Sequence, residues 1–418
     1  MTRAVAIALL FLLLRAAVAW ARDPFMDELF TVWMAGRPFS GIVPALLQDS
    51  GPPLYYFVAR IPSVMAERVL SIAFALVPLV LLLREKRWLA ALLLAVHPGA
   101  AILAASARPY ALCGTLIAIG ILLLERNRPG GAAVALVIAA YTHFAAAFFL
   151  PLLLVARVPW TRRLVISALA AIAFVPGLLL ALCQPAAATA WMKLPSFGGV
   201  LNSLAFIGDD PGPPLLLMAV AFVLTVVAAS RSWRLAAYTL IPLALCLSVT
   251  FLYRPVYFPI RFASLLAFPL VLCLADSLSH WRDGARRALT AALVLTGVAS
   301  IFAGVITHLN RPLSHYRVAA LELRRNAPAD VLVVATGYLY LESVTQLGEA
   351  RVQAFPPEQG SHPGWRAVPR RDVNTGSLPP APFLWIGERR APELEAIRQR
   401  RQVRVLYENP RAVIAAVR

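Results

Sequence analysis

Residues 131–157, GAAVALVIAAYTHFAAAFFLPLLLVAR, decide how this chain is organised. The run is too long for one comfortable bilayer crossing, which takes about 20 apolar residues, and short for two. Tyr141, Thr142 and His143 sit at its middle. Charge settles the count: with two crossings, Arg84/Lys86/Arg87, Arg126/Arg128, Arg157/Arg162/Arg163, Arg231/Arg234 and Arg282/Arg286/Arg287 all share the face of Arg3, which the positive-inside rule makes cytoplasmic. With one crossing the last three clusters switch sides. The segment is therefore expected to cross twice, with Thr142 and His143 at the outer tip.

Apolar runs at 64–83, 88–105, 109–124, 163–183, 213–230, 234–253, 258–278 and 286–307 lie on either side, most near one bilayer length. The start, MTRAVAIALLFLLLRAAVAWA, fits either a signal peptide or a first span; Arg15 interrupts it and many spans follow, so a retained helix is expected. The sum is an α-helical polytopic membrane protein of about eleven helices, two of them short, with the N-terminus cytoplasmic and the C-terminus outside. Composition agrees, since 60% hydrophobic against 14% charged residues over 418 positions excludes soluble and disordered chains. The net charge of +18 is mostly arginine clustered between spans, where it sets topology, so no nucleic-acid partner is expected. Cys113, Cys183, Cys246 and Cys273 lie in or at the end of apolar runs without metal or redox spacing.

Two segments face outward. Residues 21–63 carry helical spacing at Phe25, Leu29, Val32 and Trp33 and again in IVPALLQ, which predicts short amphipathic helices on the outer membrane face. From 308 to 418 hydropathy drops and strand-like pieces (331–336, 382–387, 403–408, 412–417) alternate with helix-like ones, a small α/β extracytoplasmic domain following the membrane domain 1–307. It has neither GxGxxG nor a Walker motif, so no nucleotide is assigned to it.

Asp23, Asp27, Glu28 and Asp49 concentrate in the first outer loop, whereas the loop at 184–213 offers Asp209 and Asp210. A solvated face accounts for any one of them alone. Asp27 is distinguished by its apolar, aromatic surroundings, and because helical neighbours point about 100° apart, only one of Asp27 and Glu28 can aim into a cleft while the other orients it or caps the helix. Tyr55 and Tyr56, after Asp49 and two prolines, suit an aromatic anchor at the interface. Arg108 and Arg261 lie at outer helix ends, where basic residues are disfavoured, so they either snorkel to lipid phosphate or bind an anionic headgroup. His143 is a turn histidine bonded to a carbonyl or a site residue. His97, His280 and His308 show no metal spacing, and no metal or cofactor is inferred.

The strings MDELF, QDSGPPLYYF, HPGAAILAASARPYALCGTLIA, AAYTHFAAAFFLPLLL and VYFPIRFASLLAFPLVLCLAD, in this order over residues 1 to 280, resemble the GT-C membrane glycosyltransferases, nearest to bacterial relatives of protein O-mannosyltransferases and the aminoarabinose lipid A transferases. The resemblance implies transfer of a sugar from a polyprenyl-phosphate donor to a cell-envelope acceptor (lipid, glycan or protein) at the outer face of a bacterial cytoplasmic membrane. Asp27 and Glu28 would be the catalytic pair with Asp27 as base, and Arg108, Arg261, His143, Asp49, Tyr55 and Tyr56 would bind substrate. Three positions depart from the pattern: Gly51 precedes Pro52-Pro53 where relatives have His or Lys, the stretch before Arg108 lacks Gln-Glu, and Phe262 replaces a Tyr.

The chemistry fits independently. A sugar phosphate carries its own leaving group, so an inverting displacement needs one carboxylate base and cations for the departing phosphate. Hydrolysis would want two carboxylates, for which Asp49 is the second. A lipid or lipid-linked sugar transporter would instead show internal repeats and broken helices near mid-membrane. An assembly protein would leave Asp27, Arg108 and Arg261 unexplained.

Overall fold

The computed structural model describes residues 2–185, 192–196, 200, 232–310, 313–336, 339–355, 377–390 and 392–418. The expected span at 213–230 and the Asp209-Asp210 pair lie outside them. Among the described residues six helices are long and apolar enough to cross a bilayer. They are α1 (Thr2–Ala21), α5 (Val64–Arg84), α10 (Trp160–Cys183), α11 (Trp233–Leu252), α12 (Pro259–Ser279) and α13 (Asp283–Asn310). The most buried is α12, with 78% of its apolar window covered by protein against 17% for α10 and α13, so α12 runs through the middle and the other two face lipid.

The 131–157 segment divides at His143, whose backbone is extended (φ −154°, ψ 124°) and whose Nδ1 accepts the Ala145 N–H at 3.2 Å. Before it lies α9 (Pro129–Thr142) and after it a 3₁₀ helix, Phe144–Val155. A 3₁₀ helix rises about 2.0 Å per residue against 1.5 Å for an α-helix, so the twelve residues reach about 24 Å instead of 18 Å. That extra reach is how a segment short for two crossings spans most of the hydrocarbon twice. Both halves pack on each other and on α10, and α9 also packs on α8 (Tyr110–Glu125).

The run at 88–105 is likewise two helices, α6 (Trp88–Val96) and α7 (Pro98–Ala104). Pro98 cannot donate a backbone hydrogen bond, and His97 Nδ1 caps α7 by accepting from Ala100 N at 3.2 Å. The Leu94 and Ala95 carbonyls then receive the Arg15 guanidinium at 3.1 and 2.7 Å. Arg15 is 1% exposed, so the charge that interrupts the first apolar run serves as a buried clasp for a broken helix.

After α13 the chain forms α14 (His315–Asn326), β1 (Val333–Thr336), α15 (Leu339–Leu347), β2 (Val352–Phe355), β3 (Phe383–Glu388), α16 (Pro392–Arg398), β4 (Val403–Glu408) and β5 (Ala412–Val417). The sheet order is β2-β1-β3-β5-β4, with β1 parallel to β2 and β3, and β5 antiparallel to β3 and β4. Strand β2 and helix α14 are additions to the sequence-based reading of this region.

Between body and sheet lie α2 (Met26–Ala35), α3 (Phe39–Leu46) and α4 (Leu54–Val58). The expectation of an apolar face left open is compatible with α3, which leaves Phe39 and Val43 exposed along one side, with Leu47 just past its end. It does not describe α2. Leu29, Phe30, Trp33 and Met34 share one core with Val333, Ala335, Leu341, Leu384 and Ile414, because α2 is covered by α15, which packs on the sheet, as well as by α5. Arg37 Nη2 adds an ion pair to Glu349 Oε1 at 2.5 Å across this junction.

Candidate active site

Asp27 and Glu28 occupy the first turn of α2 and diverge as helical neighbours must. Glu28 turns inward and is fully buried. Its carboxylate accepts from Arg68 Nε at 2.9 Å and Nη2 at 2.6 Å, from Ala107 N at 2.8 Å and from Phe25 N at 3.3 Å. Arg68, on α5, also donates to the carbonyls of Ala19, Arg22 and Asp23 at 2.6, 2.8 and 3.2 Å. This pair ties the end of α1, the start of α2, α5 and the 105–109 turn into one knot. Every oxygen of Glu28 is engaged, so it orients the turn and is not placed to touch a substrate.

Asp27 points the other way, its side chain about a third exposed. Arg261 Nη2, from the first turn of α12, lies 3.2 Å from Asp27 Oδ2, and Arg108 Nη2 lies 3.6 Å from the same oxygen. Arg108 Nη1 also donates to the Asp27 carbonyl at 3.1 Å and to Tyr56 Oη at 3.4 Å. Three segments far apart in sequence thus converge on one carboxylate.

Both arginines line a cavity of about 430 Å³ whose walls are mainly apolar, among them Phe144, Phe148, Phe174, Leu178 and Phe262. Its polar lining includes Tyr56, Gln184, His143 and a third arginine, Arg254. His143 Nδ1 accepts the Ala145 N–H and so carries no proton, which leaves the ring proton on Nε2. Burial pushes the Tyr56 hydroxyl up to about 12 and keeps it a donor.

Asp49 is 7% exposed, and burial raises its carboxyl to about 7, Asp27 adding to the rise while Arg108 opposes it. The loop that carries Asp49 is clamped by Gln184, which donates to the Leu46 and Gly51 carbonyls at 2.9 and 2.8 Å and accepts from Gly51 N at 3.1 Å. Gly51 has φ +106°, so the residue that departs from the family pattern also holds a backbone conformation glycine takes best. Tyr55 is buried on the side of Glu67 and Ser71 and does not line the cavity.

Arg68, Arg254 and Gln184 were not singled out from sequence. Arg254 lies in the same YRPVYFPIR string as Arg261, and Arg68 is a charge inside one end of an apolar run, much as Arg108 is. Among the described residues no three His, Cys, Asp or Glu side chains are grouped to hold a metal ion.

No protein-family model and no curated protein sequence matches the chain. Solved structures do. ArnT from Cupriavidus metallidurans bound to undecaprenyl phosphate superposes with a TM-score of 0.63 at 12% identity, over 99% of this chain and 97% of that one. The same protein in the apo state gives 0.62 at 12% identity, over 99% and 98%. An agreement that spans membrane body and tail together, at an identity this low, is an agreement of architecture, and this chain has the GT-C fold.

Proposed function

We propose that the protein is a glycosyltransferase of a bacterial inner membrane that moves a sugar from a polyprenyl-phosphate donor to a hydroxyl on a cell-envelope acceptor, with inversion. The observation that carries this reading is the Asp27 carboxylate, flanked by two guanidiniums at the edge of an apolar cavity. The related fold of an ArnT bound to undecaprenyl phosphate supports a lipid phosphate as the donor's carrier.

In this mechanism the isoprenoid lies along the phenylalanine wall and the phosphate sits among Arg108, Arg254 and Arg261. Asp27 accepts the acceptor's hydroxyl proton as the oxygen forms its bond to the anomeric carbon. The carbon–phosphate oxygen bond breaks in the same step, and its electron pair leaves with the phosphate, where forked guanidinium donors stabilise the growing charge. His143 Nε2–H and the Tyr56 hydroxyl are further donors for the phosphate or sugar. Asp49 sits close enough to Asp27 and Arg108 to tune their charge. Glu28 acts through Arg68 and Ala107 by fixing the turn that presents Asp27.

The test is sugar transfer from a polyprenyl-phosphate donor to membrane acceptors by Asp27→Asn, which keeps volume but cannot take a proton. General-base loss predicts a fall of about 10² to 10⁴ in rate. Activity within about threefold of wild type on that scale would overturn the role of Asp27.

A further inference from the structure

A second cleft lies at the other end of the spanning helices. Arg68 and the Asp27 site are at the start of α5, whereas this cleft opens at its end, about 30 Å away by the rise of 21 helical residues. Its volume is about 950 Å³. Lys86, Arg87, Arg286 and Arg287 line it together with the carboxyls of Glu125 and Asp276. Leu89, Leu92, Leu272 and Val294 supply apolar wall.

Much of this charge is already committed. Arg87 pairs with Glu85 at 2.9 Å, Arg286 with Asp283 at 2.6 Å, and Glu125 accepts from Tyr238 Oη at 3.0 Å. Among the described residues Lys86 and Arg287 have no acidic partner within 4 Å.

Lys86 is also in an unusual backbone state. It ends α5 in a left-handed conformation, φ +59°, with its N–H on Leu83 O at 3.1 Å and the Arg87 N–H on Leu82 O at 2.9 Å. That is the closing turn in which glycine or asparagine is the unstrained choice. The equivalent turn after α8 does place Asn127 there, at φ +57°. A basic residue as a topology signal could stand anywhere near this helix end, and Arg84 and Arg87 already supply it. The topology rule therefore explains neither a lysine at the strained position nor an apolar-walled cleft beneath it.

We propose that this cleft binds an anionic diacyl phospholipid, its phosphate held between Lys86 and Arg287 and its acyl chains against the leucine-lined wall. Basic pockets between spanning helices recognise anionic headgroups through such pairing of lipid phosphate with Lys and Arg.

The experiment is native mass spectrometry of the full chain, purified in neutral detergent and incubated with phosphatidylglycerol, phosphatidylethanolamine or phosphatidylcholine of identical chains. Wild type should retain phosphatidylglycerol in clear excess over the other two. Lys86→Gly and Arg287→Gln should each lower that excess by about fivefold, and the double variant should abolish it. Glycine suits the left-handed turn, so Lys86→Gly should melt no lower than wild type, which separates loss of lipid from loss of fold. Equal retention of the three lipids by wild type, or undiminished phosphatidylglycerol on the double variant, would overturn the proposal. The readout is lipid retention, so it stands or falls independently of the glycosyl transfer proposed above.

Discussion

A guanidinium can serve structure or chemistry, and four buried or half-buried arginines in this chain divide between the two by what they touch. Arg15 and Arg68 spend their donors on carbonyls and on Glu28, whereas Arg108 and Arg261 converge on Asp27 and line the cavity. Removing one partner of the Arg68–Glu28 pair leaves a buried charge uncompensated, so Glu28→Gln should destabilise by about 3 to 5 kcal/mol, read as a lowered melting point in detergent. Arg254 should behave differently: Arg254→Ala should cut sugar transfer by about tenfold or more with an unchanged melting point, and Lys should restore only part, because it keeps the charge and loses the fork. Asp49 gives a pH signature. Its folded pKa of about 7 lies above the ordinary carboxylate value, so the folded state holds a proton that the unfolded chain releases, and stability falls as pH rises from about 4 to 7. Asp49→Asn should remove that slope; parallel melting curves for variant and wild type across this range would refute it. Arg108 and Arg261 stand out in the sequence as basic residues on the face where the positive-inside rule disfavours them, and Asp27 by its apolar, aromatic surroundings. Glu28's inward turn was not legible there, since periodicity says that two neighbours diverge without saying which one meets Arg68, forty residues away.

At the scale of elements, hydropathy located each described span, and the arginine clusters indicated that 131–157 divides. What they could not indicate is the 3₁₀ geometry of Phe144–Val155, which comes from packing against α9, α10 and α11 and not from local preference. The break at His97 was also hidden: a histidine-proline step inside an apolar run reads as one helix until the Arg15 clasp is seen. Helix contacts offer a direct test. An added Cβ at Gly297 of α13 would lie 2.3 Å from the Val96 carbonyl oxygen of α6, whereas at Gly120 of α8 it would press on the Leu136 side chain at 2.9 Å and meet the Ala132 carbonyl oxygen at an ordinary 3.6 Å. Gly297→Ala should therefore force α13 off α6 and cost about 1 to 3 kcal/mol, and Gly120→Ala should cost less, as leucine can change rotamer where a backbone carbonyl cannot. Thermal unfolding of the two variants in one detergent checks the order.

For the whole molecule, the alternation of strand-like and helix-like pieces after residue 308 was enough to read an α/β tail, but not the place where it sits. Amphipathic spacing in α2 marks an apolar face without identifying its cover, and membrane was the expected cover where α15, which packs on the sheet, is the observed one. Truncation after residue 310 should thus leave Leu29, Phe30 and Trp33 uncovered, and the shortened chain should aggregate or lose transfer activity even with Asp27, Arg108 and Arg261 intact. The same junction sets a timetable for synthesis. The apolar face of α2, Leu29 to Met34, leaves the ribosome about 300 residues before the helix that covers it, Leu339–Leu347. At about 5 to 20 residues per second it waits roughly 15 to 60 s for that helix. During that interval the nascent chain presents a sticky patch next to the turn that carries Asp27, and a holding factor or the lipid surface can occupy the seat that the tail later takes.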